Sequence, residues 1–151
     1  EGAEPLRVGV MAYSFVPKKK YAKASGRNIG ISTKSAGVLC RVIRKKPLKR
    51  AKRLLVDLES RKRSLGGKYY SKTVMNIRKL VESCEKNAEF AGLDTDRLMV
   101  HASAHEGMRA KRRRRKAAFG NMLKRANIEV MLIERGKSDK ISMEKIKEQT
   151  K

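Results

Sequence analysis

Tryptophan is absent from this 151-residue chain, and aromatic residues make up only 5% of it. Readers of single-stranded nucleic acid usually stack bases on aromatic platforms, and RNA-recognition domains carry an aromatic signature on a central strand. Neither pattern is present. Outside the expected core and the N-terminal segment, the aromatic candidates are Tyr69, Tyr70 and Phe119. Cysteine occurs twice, as Cys40 and Cys84, far apart and inside apolar helical patterns. No disulfide framework is implied; both read as small core residues of a protein in a reducing cytoplasm. No apolar run approaches the roughly 18–20 residues that span a bilayer, so no membrane partner is expected. The mildly apolar stretch Val8–Val16 is followed by Lys18, Lys19 and Lys20 and preceded by Glu1 and Glu4. A secretory signal has the opposite order. Met11 is a candidate internal start, and residues 1–12 read as an extension.

Acid is the other shortage. Lys and Arg number 39 against 15 Asp and Glu, a formal charge of +24. Hydrophobic residues reach 40%, enough for one small domain rather than a disordered basic tail. Such an excess of charge repels itself unless a partner supplies anions, and nucleic acid is the leading supplier. The distribution sharpens this. From Pro5 to Val56 there are fifteen basic residues and no acid. Between Glu106 and Glu129 there is again no acid, and that stretch holds the run Lys111-Arg112-Arg113-Arg114-Arg115-Lys116. Solvated faces usually mix signs, whereas blocks of like charge are interaction segments. Both segments are expected to present cations that have no partner within the chain.

The periodicity changes along the chain. Tyr13–Ile31 reads as an edge strand and a turn. Ser32 is an expected N-cap for a first helix with Val38, Leu39, Val42 and Ile43 at helical spacing, ending before Pro47. Pro47 suits the first turn of a second helix, whose stripe is Leu48, Ala51, Leu54, Leu55 and Leu58. Gly66-Gly67 break the pattern. Ser71 is expected to cap a third helix with Val74, Ile77, Val81, Cys84 and Ala88 on one face, ended by Gly92 and a turn at Asp94–Asp96. Alternation then takes over: Leu98, Val100, Ala102 and Ala104, and later Ile128, Val130 and Leu132, mark two strands. The basic stretch between them is too long for a turn. It reads as two strands running outward in a hairpin over residues 97–135, with its tip near Arg113–Gly120. At about 3.3 Å per residue each arm reaches roughly 50 Å, whereas a compact body of about 100 residues has a radius of gyration near 13 Å. An isolated two-stranded ribbon is marginal in water, and this one repels itself.

Motifs for chemistry are missing. Gly136-Lys137-Ser138 lacks the first glycine of a phosphate-binding loop, because Met131 stands there, and Gly26-Arg27-Asn28-Ile29-Gly30 lacks the lysine. His101 and His105 are four apart but lie in a β-alternating stretch without HExxH; they read as sheet residues that stack on or hydrogen-bond to a partner. The acids are largely helix-surface or turn residues, so no carboxylate pair stands out for acid–base chemistry. No enzyme, metal site or cofactor is expected. Binding should rest on phosphate contacts and shape rather than on base edges, with planar guanidinium groups forking onto phosphates.

The order of parts resembles the ribosomal large-subunit protein twenty-two family, protein seventeen in eukaryotic naming, in its archaeal–eukaryotic branch. The resemblance lies in Asn28-Ile29-Gly30-Ile31-Ser32 with Lys34 and Ala36, in Gly67-Lys68-Tyr69-Tyr70 with Lys72, and in Asn87-Ala88-Glu89 with Gly92-Leu93-Asp94. It continues in Arg115-Lys116-Ala117-Ala118-Phe119-Gly120 and Ile128-Glu129-Val130-Met131-Leu132-Ile133. It covers roughly residues 13–136. It implies an α+β fold, three helices packed on a small antiparallel sheet with a long protruding β-hairpin. It also implies a structural constituent of the large ribosomal subunit in the cytoplasm, bound to large-subunit ribosomal RNA and to neighbouring ribosomal proteins. The hairpin would line the nascent polypeptide exit tunnel, and its tip, Arg114, Arg115, Lys116, Ala117, Ala118, Phe119 and Gly120, would meet the nascent chain.

Residues 13–136 are thus expected to form one RNA-binding domain, and residues 137–151 a polar tail. Body contacts to phosphate are expected from Lys18, Lys19, Lys20, Lys23, Arg27, Lys45, Lys46, Lys49, Arg50, Lys52 and Arg53. Hairpin contacts are expected from Arg109, Lys111, Arg112, Arg113, Arg114, Arg115, Lys116, Lys124 and Arg125. The alternative is an architectural DNA-binding protein with a basic β-arm, for which Phe119 is the one candidate wedge. A metal-dependent hydrolase would need zinc on His101 and His105.

Overall fold

The computed structural model describes residues 15–112 and 120–135. Strand β1 (Tyr21–Ile29) leads to helices α1 (Thr33–Ile43), α2 (Leu48–Glu59) and α3 (Ser71–Phe90), then a single 3-10 turn at Thr95–Arg97. Strand β2 (Leu98–Glu106), the short pair β3 (Ala110–Lys111) and β4 (Met122–Leu123), and β5 (Ala126–Glu134) complete the order. The fold is α+β. β5 lies between β1 and β2, antiparallel to both. Val130 sits opposite Ala24 and Ala102, and Leu132 opposite Ala22 and Val100. Because strand neighbours alternate faces, these residues form one apolar face, and the helices cover it.

The helical stripes close the core. Leu48, Ala51, Leu54, Leu55 and Leu58 of α2 are all buried, as are Val74, Ile77, Val81, Cys84 and Ala88 of α3. On α1 the buried set is Ala36, Leu39, Cys40 and Ile43. Val38 points outward and is exposed, which corrects the expected stripe: the small side chains of Ala36 and Cys40 let α1 approach the sheet on that side. Burial pushes both thiols up to about 11, so Cys40 and Cys84 are inert core residues.

Several boundaries differ from expectation. Pro47 is not in the first turn of α2; its extended backbone bridges to Met99. The Lys45 N–H donates to the Val100 carbonyl (2.8 Å) and the Val100 N–H to the Lys46 carbonyl (2.9 Å), so this linker borders the sheet beyond β2. Ser32 stands at the N-cap of α1, but its side chain makes no capping bond. Ser71 does not cap α3: the cap position is Tyr70, left-handed at φ 49°, with its ring packed against the core rather than outside it. The turn before it is built on Gly66 and Gly67, φ 56° and 73°, with Leu65 and Lys68 exchanging both backbone bonds. Two consecutive positive φ values are what a two-residue turn matching strand twist requires.

The hairpin is not two unbroken arms. β2 and β5 pair in full register from Leu98–Glu134 to Glu106–Ala126, and pairing resumes with Ala110–Leu123 and Lys111–Met122. The break between them is the point where the arm leaves the body.

Candidate nucleic-acid interface

A polar junction sets that departure. The Gly107 N–H donates to the Arg125 carbonyl (2.9 Å), and the Met108 N–H donates to Asn28 Oδ1 (2.8 Å). The Asn28 N–H in turn donates to Asn127 Oδ1 (2.7 Å). Asn28 is left-handed, φ 53°, a conformation asparagine tolerates better than most residues. A Cβ on Gly107 would lie 3.1 Å from the backbone carbon of Arg125 and 3.0 Å from Asn28 Oδ1, so glycine allows the close approach. None of these three residues stood out in the sequence as a site residue. The two bonds of Asn28 reach partners 80 and 99 residues away.

Beside the junction lie two open clefts, of about 570 Å³ and 770 Å³. Both are bounded by Ser32 and by the segment Met122–Arg125, which is β4 and the break that follows it. Lys34 and Arg109 enter the first cleft, Lys72 and Arg112 the second. Lys34 and Lys72 were not among the expected contacts. The available signal was that each stands in the acid-free first turn of its helix.

The expected body cations divide. Lys18, Lys19, Lys20, Lys23 and Arg27 lie exposed before and along β1. Arg50 and Arg53 are exposed on α2. Lys45 and Lys46 border the sheet. Lys49 and Lys52 do have partners within the chain: Lys49 pairs with Asp96 at 2.8 Å and Lys52 with Glu85. Arg109 pairs with Glu106 at 3.1 Å. The expectation of cations without internal partners is therefore corrected at these three, and also at Arg44, whose guanidinium donates twice to the Ala102 carbonyl (3.1 and 2.9 Å). Glu85 and Asp96, which follow the first basic segment in sequence, fold back beside it, whereas Glu106 precedes the second. Asp96 also holds the Lys49 ammonium above its ordinary pKa, first through the hydrogen bond and then through its charge. Lys111, Arg112 and Lys124 are exposed on the arm, and Arg125 is half-buried at its root. Arg113, Arg114, Arg115, Lys116, Ala117, Ala118 and Phe119 fall outside the described residues. Gly120 is left-handed at φ 77°.

On the sheet face away from the helices, Lys23, Met131 and His101 share one cross-strand row, and Ser25, Glu129 and Ser103 the next. Phe15 stacks on His101, ring centroids 4.6 Å apart. His105 Nε2 lies 3.4 Å from Asn127 Nδ2. Burial, then Arg44 and Lys45, lower the His101 pKa. Glu129 is 7% exposed and its Oε2 has no hydrogen-bond partner. Desolvation raises its pKa to about 7. It is thus a buried acid on the central strand. Among the described residues no group of His, Cys, Asp or Glu could hold a metal ion, and no helix is long and apolar enough to cross a membrane.

Comparison with known proteins agrees with this architecture. A protein from Thermofilum pendens, named large ribosomal subunit protein uL22, is 35% identical over 109 residues, covering 60% of this chain and 72% of that one. The protein of that name from Sulfolobus acidocaldarius is 31% identical over 144 residues, covering 78% and 92%. The one from Thermoplasma acidophilum is 31% identical over 142 residues, covering 81% and 94%. The family model described as ribosomal protein L22p/L17e matches residues 24–132, from within β1 almost to the end of β5. That span contains all three helices, the hairpin and its polar root, and the chain belongs to the L22p/L17e ribosomal protein family.

Proposed function

We propose that this chain is a structural constituent of the large ribosomal subunit that binds large-subunit ribosomal RNA, with its basic hairpin lining the nascent polypeptide exit tunnel. The observation that carries the reading is the arm itself. It leaves the core at a junction fixed by hydrogen bonds, and beyond Glu106 its sequence carries only cations until Glu129. A solvated protein gains nothing from such an arm, whereas a folded polyanion neutralises it. Contacts fall on Lys18, Lys19, Lys20, Lys23, Arg50 and Arg53 of the body, on Lys45 and Lys46 at the sheet border, and on the hairpin cations. Lys49, Lys52 and Arg109 contribute less, because each already has a carboxylate. The tip meets the nascent chain, and neighbouring ribosomal proteins abut the body in a cytoplasmic ribosome.

The test replaces Arg113, Arg114 and Arg115 together by Ala. The thermal midpoint of the free protein stays nearly unchanged, and affinity for deproteinised large-subunit ribosomal RNA falls at moderate salt. An unchanged RNA affinity rejects the role of the arm. Competition with duplex DNA separates this reading from an architectural DNA-binding protein: folded ribosomal RNA should win.

A further inference from the structure

We infer that RNA sugar–phosphate backbone straddles the root of the hairpin, one run of phosphates in each of the two clefts, held by Lys34 on one side and Lys72 on the other. This deepens the ribosomal RNA reading and rests on it. The first cleft gathers Lys34, Arg109, Lys124 and Arg125 around one carboxylate, Glu106, which Arg109 already engages. The second gathers Lys72, Arg112, Lys124 and Arg125 with no acid on its walls. These cations come from α1, α3 and both arms of the hairpin, so the fold itself converges them. At separations below the Debye length of about 10 Å at 0.1 M salt they repel one another. Occupying the clefts with anions removes that cost.

The form of the clefts selects the anion. They are open troughs, so a continuous strand can pass along them, whereas a small ligand would remain mostly solvated. Met122 and Leu123 give both an apolar wall against which ribose can rest, and Ser32 lines both; Thr33, whose hydroxyl donates to the Arg125 carbonyl (3.3 Å), lines the first alone. Both clefts share the segment Met122–Arg125, so RNA backbone on its two sides would grip the arm where its direction is set. Lys34 and Lys72 are exposed and carry no carboxylate partner among the described residues.

The experiment uses the full chain and deproteinised large-subunit ribosomal RNA. Affinity is measured between 50 and 200 mM salt for the wild type, Lys34→Gln, Lys72→Gln, the double variant and Lys86→Gln. Lys86 is an exposed lysine about 21 Å along α3 from Lys72, at 1.5 Å per residue, and serves as an equal change of charge. Each cleft lysine should lower the slope of log affinity against log salt by roughly 0.7–0.9, so the loss across that range shrinks about threefold. The double variant should show both losses, and Lys86→Gln neither. Acetylation footprinting should find Lys34 and Lys72 protected in the complex and Lys86 reactive. A wild-type slope in either cleft variant, or an unprotected Lys34 or Lys72, overturns the straddling while leaving RNA binding in place. A wild type that does not bind this RNA overturns both.

Discussion

Asn28 offers the sharpest test of how the arm is attached. Its Oδ1 accepts the Met108 N–H at 2.8 Å, and its backbone is left-handed. These two contributions separate by substitution. Asn28→Gly removes the acceptor but keeps the conformation, and a solvent-exposed hydrogen bond is worth about 1 kcal/mol. Asn28→Ala removes the acceptor and also leaves in the left-handed region a residue that tolerates it less well than asparagine does, at roughly another 1 kcal/mol, for a total near 2 kcal/mol. At about 2–4 °C per kcal/mol for a chain of this size, the midpoint should drop by roughly 4–8 °C for Ala and half that for Gly. The bond from the Asn28 N–H to Asn127 Oδ1 survives in both, so loosening should be local to the root. Amide exchange at Met108 should accelerate in both variants, while the amides of β5 keep their protection. Urea unfolding and exchange together decide it. An Ala variant no less stable than the Gly variant, or an unchanged Met108 amide, refutes the account of the junction.

Further outcomes follow from the same structure. Gly107→Ala places a Cβ against the Arg125 backbone and should cost about 1–3 kcal/mol through overpacking, whereas urea midpoints equal to wild type would show that the root can give way. Glu129 holds its proton to about pH 7 when folded and to about 4.5, its ordinary value, when unfolded. The folded state therefore binds the extra proton between these values. Its stabilising contribution is present below about pH 4.5 and is lost as pH rises towards 7, by at most about 3 kcal/mol at 1.36 kcal/mol per pH unit. Glu129→Gln should thus gain thermal stability over wild type across that window and match it in acid; parallel pH profiles would contradict the desolvation.

The helical stripes were legible because each is a local, single-face pattern. Every apolar position named on α2 and α3 is buried. Strand alternation identified β2 and β5 but did not show that Glu129 is buried, since membership of the central strand depends on β1 joining from a distant part of the sequence. Val38 shows the limit of spacing within a helix: four neighbouring apolar residues define a side, but the small Ala36 shifts the contact by part of a turn. Ser71 had the chemistry of a cap, and the left-handed Tyr70 took the position because its ring packs on the core. The basic segments were plain in the sequence. Which cations are neutralised was not, because Asp96 meets Lys49 and Glu85 meets Lys52 only after the elements pack. The hairpin root was equally hidden, since Asn28, Gly107 and Asn127 are joined by tertiary pairing alone.

Sedimentation of ribosomal particles through a high-salt gradient tests the central claim most directly. The chain should remain in stoichiometric amount with the large subunit if, as proposed, RNA encloses its arm, whereas an arm held at the surface by screened charge would be released. Its release to the top of the gradient, or its recovery with duplex DNA instead, would contradict the account.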